Sequence, residues 1–433
     1  MIMRHTLSFL LIGTLFMVSF VAMKTSEAIP VFARKYETSC VTCHTGFPKL
    51  NSFGEAFRLN GFQYPMDDID QTKDEPVSLG SEAYKRVFPN SVWPNDIPGT
   101  PPIAFRVKSG FSYSDQDEIK SKFDQPSLIL MTAGTLGENV GFYAGAHLFE
   151  NGEVGSIDRA YLQLSNLFTP SLPDYALNLR IGQFIPNIVP FANHRGLALT
   201  PYGFNTYSAL SEGFEVGHAH GGESFGIETF QLGVEVSGIL KSRFRWGAGF
   251  VNGSGATEET NSAKDGYVRA AYKFGGMGFD GSGGITDSKG RSWVDNSIAL
   301  GSFVYFGSHE NDGVTGPTDL RRERFGADFN ILSNNSNIFG GWIRGRDESM
   351  EGGALVDKKY DLGFAELNQV LYPWLIGLAR YERAKPENTA AINRTVLGFT
   401  ALYRANIKFV VETAFDPDDA EFSNLNISLD FAM

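Results

Sequence analysis

Leu425-Asn426-Ile427-Ser428-Leu429-Asp430-Phe431, close to the end of the chain, alternates strictly between apolar and polar side chains. Successive side chains of an extended strand point to opposite faces. One face therefore carries Leu425, Ile427, Leu429 and Phe431, and the other Asn426, Ser428 and Asp430. The same period of two recurs upstream. Phe230, Leu232, Val234 and Val236 oppose Gln231, Gly233 and Glu235, and Phe244, Trp246, Ala248 and Phe250 oppose Arg243 and Arg245. Phe325, Ala327, Phe329 and Ile331 oppose Arg324, Asp328 and Asn330, while Tyr175, Leu177, Leu179 and Ile181 oppose Asn178 and Arg180. One such segment fits a soluble sandwich equally well. Seventeen of them follow residue 100, mostly of about ten residues, the length of a tilted membrane-spanning strand. Turn clusters at Gly137-Glu138-Asn139, Asn334-Asn335-Ser336 and Ala405-Asn406 separate them, and no helical segment intervenes to cover a large sheet.

The pattern predicts an all-β architecture, a transmembrane antiparallel β-barrel over 102–433, because closure removes sheet edges and lets the apolar face meet lipid. Single-chain bacterial barrels have an even strand number. Sixteen strands are therefore expected, with one segment surplus; the weakest are the Gly-rich 276–286 and the mixed 337–346. The gap over 183–223 holds His194, His218 and His220. A connection that long either folds into the lumen or hangs outside as an external loop.

Composition agrees. The chain has 37 basic and 49 acidic residues, a net charge of −12, with 48 glycines and 13% aromatic residues. An acidic balance argues against nucleic acid as a partner, since phosphate binding needs a basic face. Arg4 and His5 precede an apolar run over 7–23, followed by Ser26-Glu27-Ala28. That arrangement predicts a signal peptide over 1–28 and export, with the bacterial outer membrane as destination. No later apolar stretch reaches spanning-helix length, so membrane contact rests on strands and outer-membrane lipid.

The chemistry lies near the N-terminus, in Cys40-Val41-Thr42-Cys43-His44, which contains both cysteines of the chain. C-x-x-C-H spacing lets two thiols form thioethers to the vinyl groups of one haem, with the adjacent histidine as proximal axial ligand. A structural zinc needs four ligands, and no second Cys or His cluster at ligand spacing exists. A redox dithiol expects a βαβ context that the flanking sequence lacks. One haem c is thus predicted on Cys40, Cys43 and His44, in a short α-helical segment over 29–64. Within it, Ser52-x-x-Glu55 reads as a capping box and Asn60-Gly61 as a left-handed stop. Phe53 and Phe57, one turn apart, join Phe47 and Leu50 in an apolar wall for the porphyrin. So few residues bury too little surface to fold unaided, which places the segment in, or at the mouth of, the lumen. Residues 65–101 form a Pro-rich tether whose Asp67, Asp68 and Asp70 read as a solvated face. For the sixth iron position, Met66 is the nearest thioether on the C-terminal side, and His147, His194, His218 and His220 are the alternatives, as is an open site.

Phe32-Ala33-Arg34, the haem motif, Pro48-Lys49-Leu50-Asn51-Ser52-Phe53-Gly54, Phe57 and Asn60-Gly61 occur together. This N-terminus resembles that of the fused outer-membrane monohaem cytochrome–porins, best known from iron-oxidising bacteria. The resemblance implies electron transfer across the outer membrane by an Fe(II):cytochrome c oxidoreductase. Extracellular Fe(II) would be oxidised and the electron passed to a periplasmic electron-transfer protein. The acidic pair Glu258-Glu259 and the stretch 416–421 would attract Fe²⁺ electrostatically. Two other readings stand beside it. One is a diffusion porin with a haem-bearing plug, motivated by the polar face of Arg180, Arg243, Arg245, Asp328, Lys408 and Glu412. The other is the same conduit run in the reductive direction to an extracellular acceptor.

Overall fold

The computed structural model describes residues 31–65, 71–114, 119–150, 152–209, 211–214, 230–253, 263–284, 287–310, 319–418 and 424–433. The signal segment, Met66, the acidic cluster at 67–70, His218, His220, Glu258-Glu259 and part of 416–421 lie outside these residues.

Sixteen antiparallel strands close into a barrel. In chain order they are β1 (Ile103–Ser114), β2 (Ser121–Thr135), β3 (Val140–Glu150), β4 (Ile157–Leu164) and β5 (Asn178–Phe184). β6 (Gln231–Leu240), β7 (Phe244–Val251), β8 (Asp265–Gly275), β9 (Ser297–Glu310) and β10 (Asp319–Ser333) follow. The last six are β11 (Ser336–Glu351), β12 (Ala354–Tyr372), β13 (Leu375–Pro386), β14 (Ile392–Arg404), β15 (Ile407–Phe415) and β16 (Asn424–Ala432). Glu153–Val154 extends β4 across a bulge in its pairing with β3. Ring closure pairs β16 with β1 in a register that sets Asp430 opposite Lys108 and Phe431 opposite Val107.

The alternation read from the sequence becomes inside and outside. Phe250, Val268, Phe306 and Phe399 are more than half exposed on the outer surface, whereas Arg180, Arg245, Asp328, Lys408 and Glu412 are buried inward. A soluble protein would invert this distribution; a wall facing hydrocarbon requires it. Arg243 departs from the expected polar face, lying at the β6–β7 turn and donating to the carbonyls of Gly275 and Gly276.

The surplus segment is 276–286, of which the structure describes 276–284. Gly275, Gly276, Gly281, Gly283 and Gly284 all have positive φ, which breaks the extended backbone and produces a turn. Residues 337–346 form the middle of β11. Tyr175 and Leu177 precede β5, Tyr175 having φ of 58° in a turn. Of four two-residue turns, three lie at the end of the barrel that carries the N-terminal segment, between β10 and β11, β12 and β13, and β14 and β15, and one at the other end, between β11 and β12. The longest connection, 185–230, leaves the opposite end. Short turns mark the periplasmic side of such barrels.

Two pieces of chain occupy the lumen. From the periplasmic end enters the N-terminal segment: α1 (Val31–Lys35), the 3₁₀ turn Cys40–Thr42, a small hairpin and α2 (Ser52–Leu59). From the other side the long connection folds inward, burying Ile188, Phe191, Leu197, Tyr202 and Phe204. Its aromatic rings pack against Phe339 and Phe364 of the wall, with Phe191 and Phe364 centroids 4.7 Å apart and Tyr202 and Phe364 5.0 Å apart. Such stacking fills the centre of the lumen with apolar surface.

Candidate functional site

The C-x-x-C-H motif is held by local hydrogen bonds. Cys43 N–H donates to the Cys40 carbonyl at 3.2 Å, closing the 3₁₀ turn, and the Thr38 and Thr42 hydroxyls meet at 2.7 Å. Asn51 then clamps the motif to α2. Its N–H donates to the Cys43 carbonyl at 3.0 Å and its side-chain amide to the Thr42 carbonyl at 3.0 Å, while its Oδ1 accepts from Gly54 N–H at 2.9 Å. The helix cap is thus Asn51 and not Ser52, one residue earlier than the capping-box reading. An Asn carbonyl reaches the third helical N–H as well as a Ser hydroxyl does, and Glu55 turns instead to Arg58 at 2.7 Å. Gly54 is required here: a Cβ would stand 2.1 Å from the Cys43 carbonyl oxygen. Gly61, with φ of 71°, supplies the expected left-handed stop.

Both cysteines and His44 line one lumen cavity of about 870 Å³ between the N-terminal segment and the inward-folded connection. That volume lies within the ~300–1,000 Å³ typical of ligand and cofactor sites. Phe32, Phe57 and Phe62 form an apolar face, Phe32 stacking on Phe62 at 5.4 Å. Leu50 and Phe47 also line the cavity, as expected. Phe53 instead packs on Tyr64 at 4.9 Å, because α2 turns that face away. Arg106, Lys108, Arg159 and Lys408 supply a cationic side, facing Asp430 and Asp158. Lys408 and Asp430 belong to the polar faces expected from the sequence, whereas Arg106, Lys108, Arg159 and Asp158 escaped notice there, although the Arg106-Val107-Lys108 alternation on an inward strand face was a signal.

The electrostatics favour neutral groups. Burial pushes the Cys40 thiol up to about 11 and the Cys43 thiol up to about 12. Burial pushes His44 down to about 4, with Arg106 and Lys408 adding to the effect. The carbonyls of Pro48 and Lys49 lie close enough to oppose this, yet neither completes a hydrogen bond to the buried Nδ1. A neutral imidazole has the lone pair that a metal ligand needs. Two unbridged cysteines that resist ionisation suit neutral thioethers better than a thiolate–metal site, whose ligands must be deprotonated. Among the described residues no cluster of three or more His, Cys, Asp or Glu could hold a metal ion. A flat macrocycle with an apolar face and two peripheral carboxylates matches the cavity in size, in its thiol and imidazole donors, and in its division into apolar and cationic walls. The residues fit haem c.

The other candidates divide. His194 lines the same cavity, on the 3₁₀ turn Asn193–Arg195. His147, on β3, also faces it, but carboxylates approach both its ring nitrogens, Glu150 at Nδ1 (2.9 Å) and Asp158 at Nε2 (3.0 Å). Met131 of β2 lines it too and was not anticipated.

A closed sixteen-strand barrel with a polar interior and an apolar belt, narrowed by an inward-folded connection, is an outer-membrane protein of the porin architecture. Solved structures of that architecture are similar in fold. An anion-selective porin from Comamonas acidovorans has a TM-score of 0.53 at 12% identity, covering 77% of this chain and 99% of its own. OmpF of Salmonella typhi in complex with daunomycin has a TM-score of 0.52 at 11% identity, covering 78% of this chain and 98% of its own. OmpT of Vibrio cholerae, in trimer form, has a TM-score of 0.50 at 10% identity, covering 77% and 99%. No protein-family model and no curated protein matches the chain.

Proposed function

We propose that the protein is a single-haem electron conduit of the outer membrane, with haem c attached through Cys40 and Cys43 and ligated by His44. The observation that carries this reading is the convergence of both thiols and the neutral imidazole on one cofactor-sized lumen cavity. A haem bound there supplies reversible one-electron chemistry. The chain's own residues do the rest. Asn51 and Gly54 fix the motif against α2, Phe32, Phe57 and Phe62 exclude water from one face, and Arg106, Arg159 and Lys408 offset carboxylate charge. The aromatic packing of Phe191, Tyr202 and Phe364 obstructs ion flow above the cavity. Extracellular Fe(II) is the donor implied by the resemblance, with a periplasmic electron-transfer protein as acceptor; the reverse direction uses the same parts. Adding Fe(II) to the oxidised protein in liposomes and following the haem bands tests the iron assignment. Absence of reduction would remove Fe(II), and a colourless polypeptide after denaturation would remove the haem.

The fold itself favours a second reading, a diffusion porin whose lumen carries the N-terminal segment as a plug. Single-channel conductance separates the two. A large steady current through the intact chain would favour the porin.

A further inference from the structure

We infer that His194, on the connection folded into the lumen, is the second axial ligand of the iron. This rests on the haem reading above. His194 and the proximal His44 line the same cavity but come from different pieces of chain, the inward connection and the N-terminal segment.

The turn that carries His194 is fixed on both sides. Upstream, Asn187 N–H donates to Glu235 Oε2 at 3.0 Å and Arg269 donates to the Ile188 carbonyl. Downstream, the Glu412 carboxylate accepts from Leu199 N–H at 2.8 Å and Thr200 N–H at 2.6 Å, and Arg380 donates to the Thr200 carbonyl at 2.6 Å. Within the turn, Asn193 Oδ1 accepts from Tyr202 N–H at 2.9 Å. A ligand must be held within a few tenths of an ångström of its productive position, and such a clamp provides that.

The ring is in the state a ligand needs. Arg195 Nη1, which can only donate, lies 3.2 Å from His194 Nε2, so the lone pair is on Nε2. Arg195 Nε also lies 3.8 Å from Glu55 of α2, a partner that remains when Nε2 turns to a metal. His147 is the poorer candidate because two carboxylates engage its ring. Met131 is a thioether, and His/Met ligation would give a higher potential and a different spectrum.

The test uses the full chain purified in detergent. Wild type should be six-coordinate and low-spin with two imidazole ligands by electron paramagnetic resonance, and His194→Ala should lose the low-spin signal. Should His194→Ala fail to accumulate, His194→Met serves instead, remaining six-coordinate with an upward shift in midpoint potential. Met131→Leu and Met66→Leu should leave the wild-type spectrum unchanged. A low-spin signal retained in His194→Ala, a spectrum unaltered in His194→Met, or loss of the signal in either methionine variant would overturn the assignment while leaving the haem intact. A wild type without porphyrin on a denaturing gel would instead remove the reading beneath it.

Discussion

Glu412 holds the inward-folded connection through three hydrogen bonds, and replacing it with alanine should release that connection locally without opening the barrel. Its carboxylate accepts from Leu199 N–H (2.8 Å), Thr200 N–H (2.6 Å) and the Thr200 hydroxyl (2.5 Å), in a site only 1% exposed. Glu412→Ala leaves two backbone donors unpaired, at ~1–3 kcal/mol each, so about 2–6 kcal/mol of local stability is lost. At ~1.4 kcal/mol per decade, the open population around 198–201 rises roughly thirty- to twenty-thousand-fold. Native-state hydrogen exchange reads this directly, because amides that exchange by local opening report its free energy. Leu199 and Thr200 should lose protection by that factor, while amides of β14 and β15, paired by strand bonds, should keep theirs. Glu412→Gln should fall between, since a neutral acceptor is roughly half as strong as a charged one. Unchanged exchange at 198–201 in Glu412→Ala, with the barrel intact, would refute the clamp.

Gly54→Ala places a Cβ 2.1 Å from the Cys43 carbonyl oxygen. It should force α2 off the haem motif at about 1–3 kcal/mol, seen as less covalently retained porphyrin per chain on a denaturing gel. In a chain made without porphyrin, the thiols titrate near 11 and 12 when folded against 9.0 otherwise. Folding therefore favours the protonated thiol. That contribution to stability is complete below pH 9 and is lost as pH rises through the unfolded value toward the folded ones. At pH 9 the folded Cys40 should alkylate roughly fifty-fold more slowly than in urea, whereas thioether-bonded cysteines should not alkylate in either state. Asp430→Ala strands Arg106 and Lys408, which lie 2.6 Å and 3.3 Å from its carboxylate. The loss should approach the ~3–5 kcal/mol of a broken buried pair, measured as a lower urea midpoint in detergent.

The wall was legible because every inward or outward choice repeats at the next residue but one. β6, β7, β10 and β16 follow from that period alone, since no helical period competes with it. Residues 276–286 imitate a strand in composition, but their glycines adopt left-handed backbone, which hydropathy cannot reveal. The haem motif was legible because its spacing is chemical. Asn51 outcompeting Ser52 as the cap was not, because both residues cap well and geometry decides. Likewise Arg106 of β1, His147 of β3, His194 of the long connection and Lys408 of β15 are far apart in the chain. Their meeting at one cavity depends on ring closure and on how the 185–209 stretch folds.

The meeting of β16 with β1 has a further implication for how the ring finds its alignment. Arg106 sits on the first stave and Asp430 on the last, and they bond through both guanidinium arms at 3.0 and 2.6 Å. A slip of one position at this joint would swing Arg106 and Lys108 out toward acyl chains. A slip of two that carried Asp430 toward Gly110 would keep them inside but divorce Arg106 from its carboxylate. The alternation thus rules out odd slips and the Arg106–Asp430 bond disfavours the even slip that parts them, so the joint narrows its own fit as the two ends of the molecule come together.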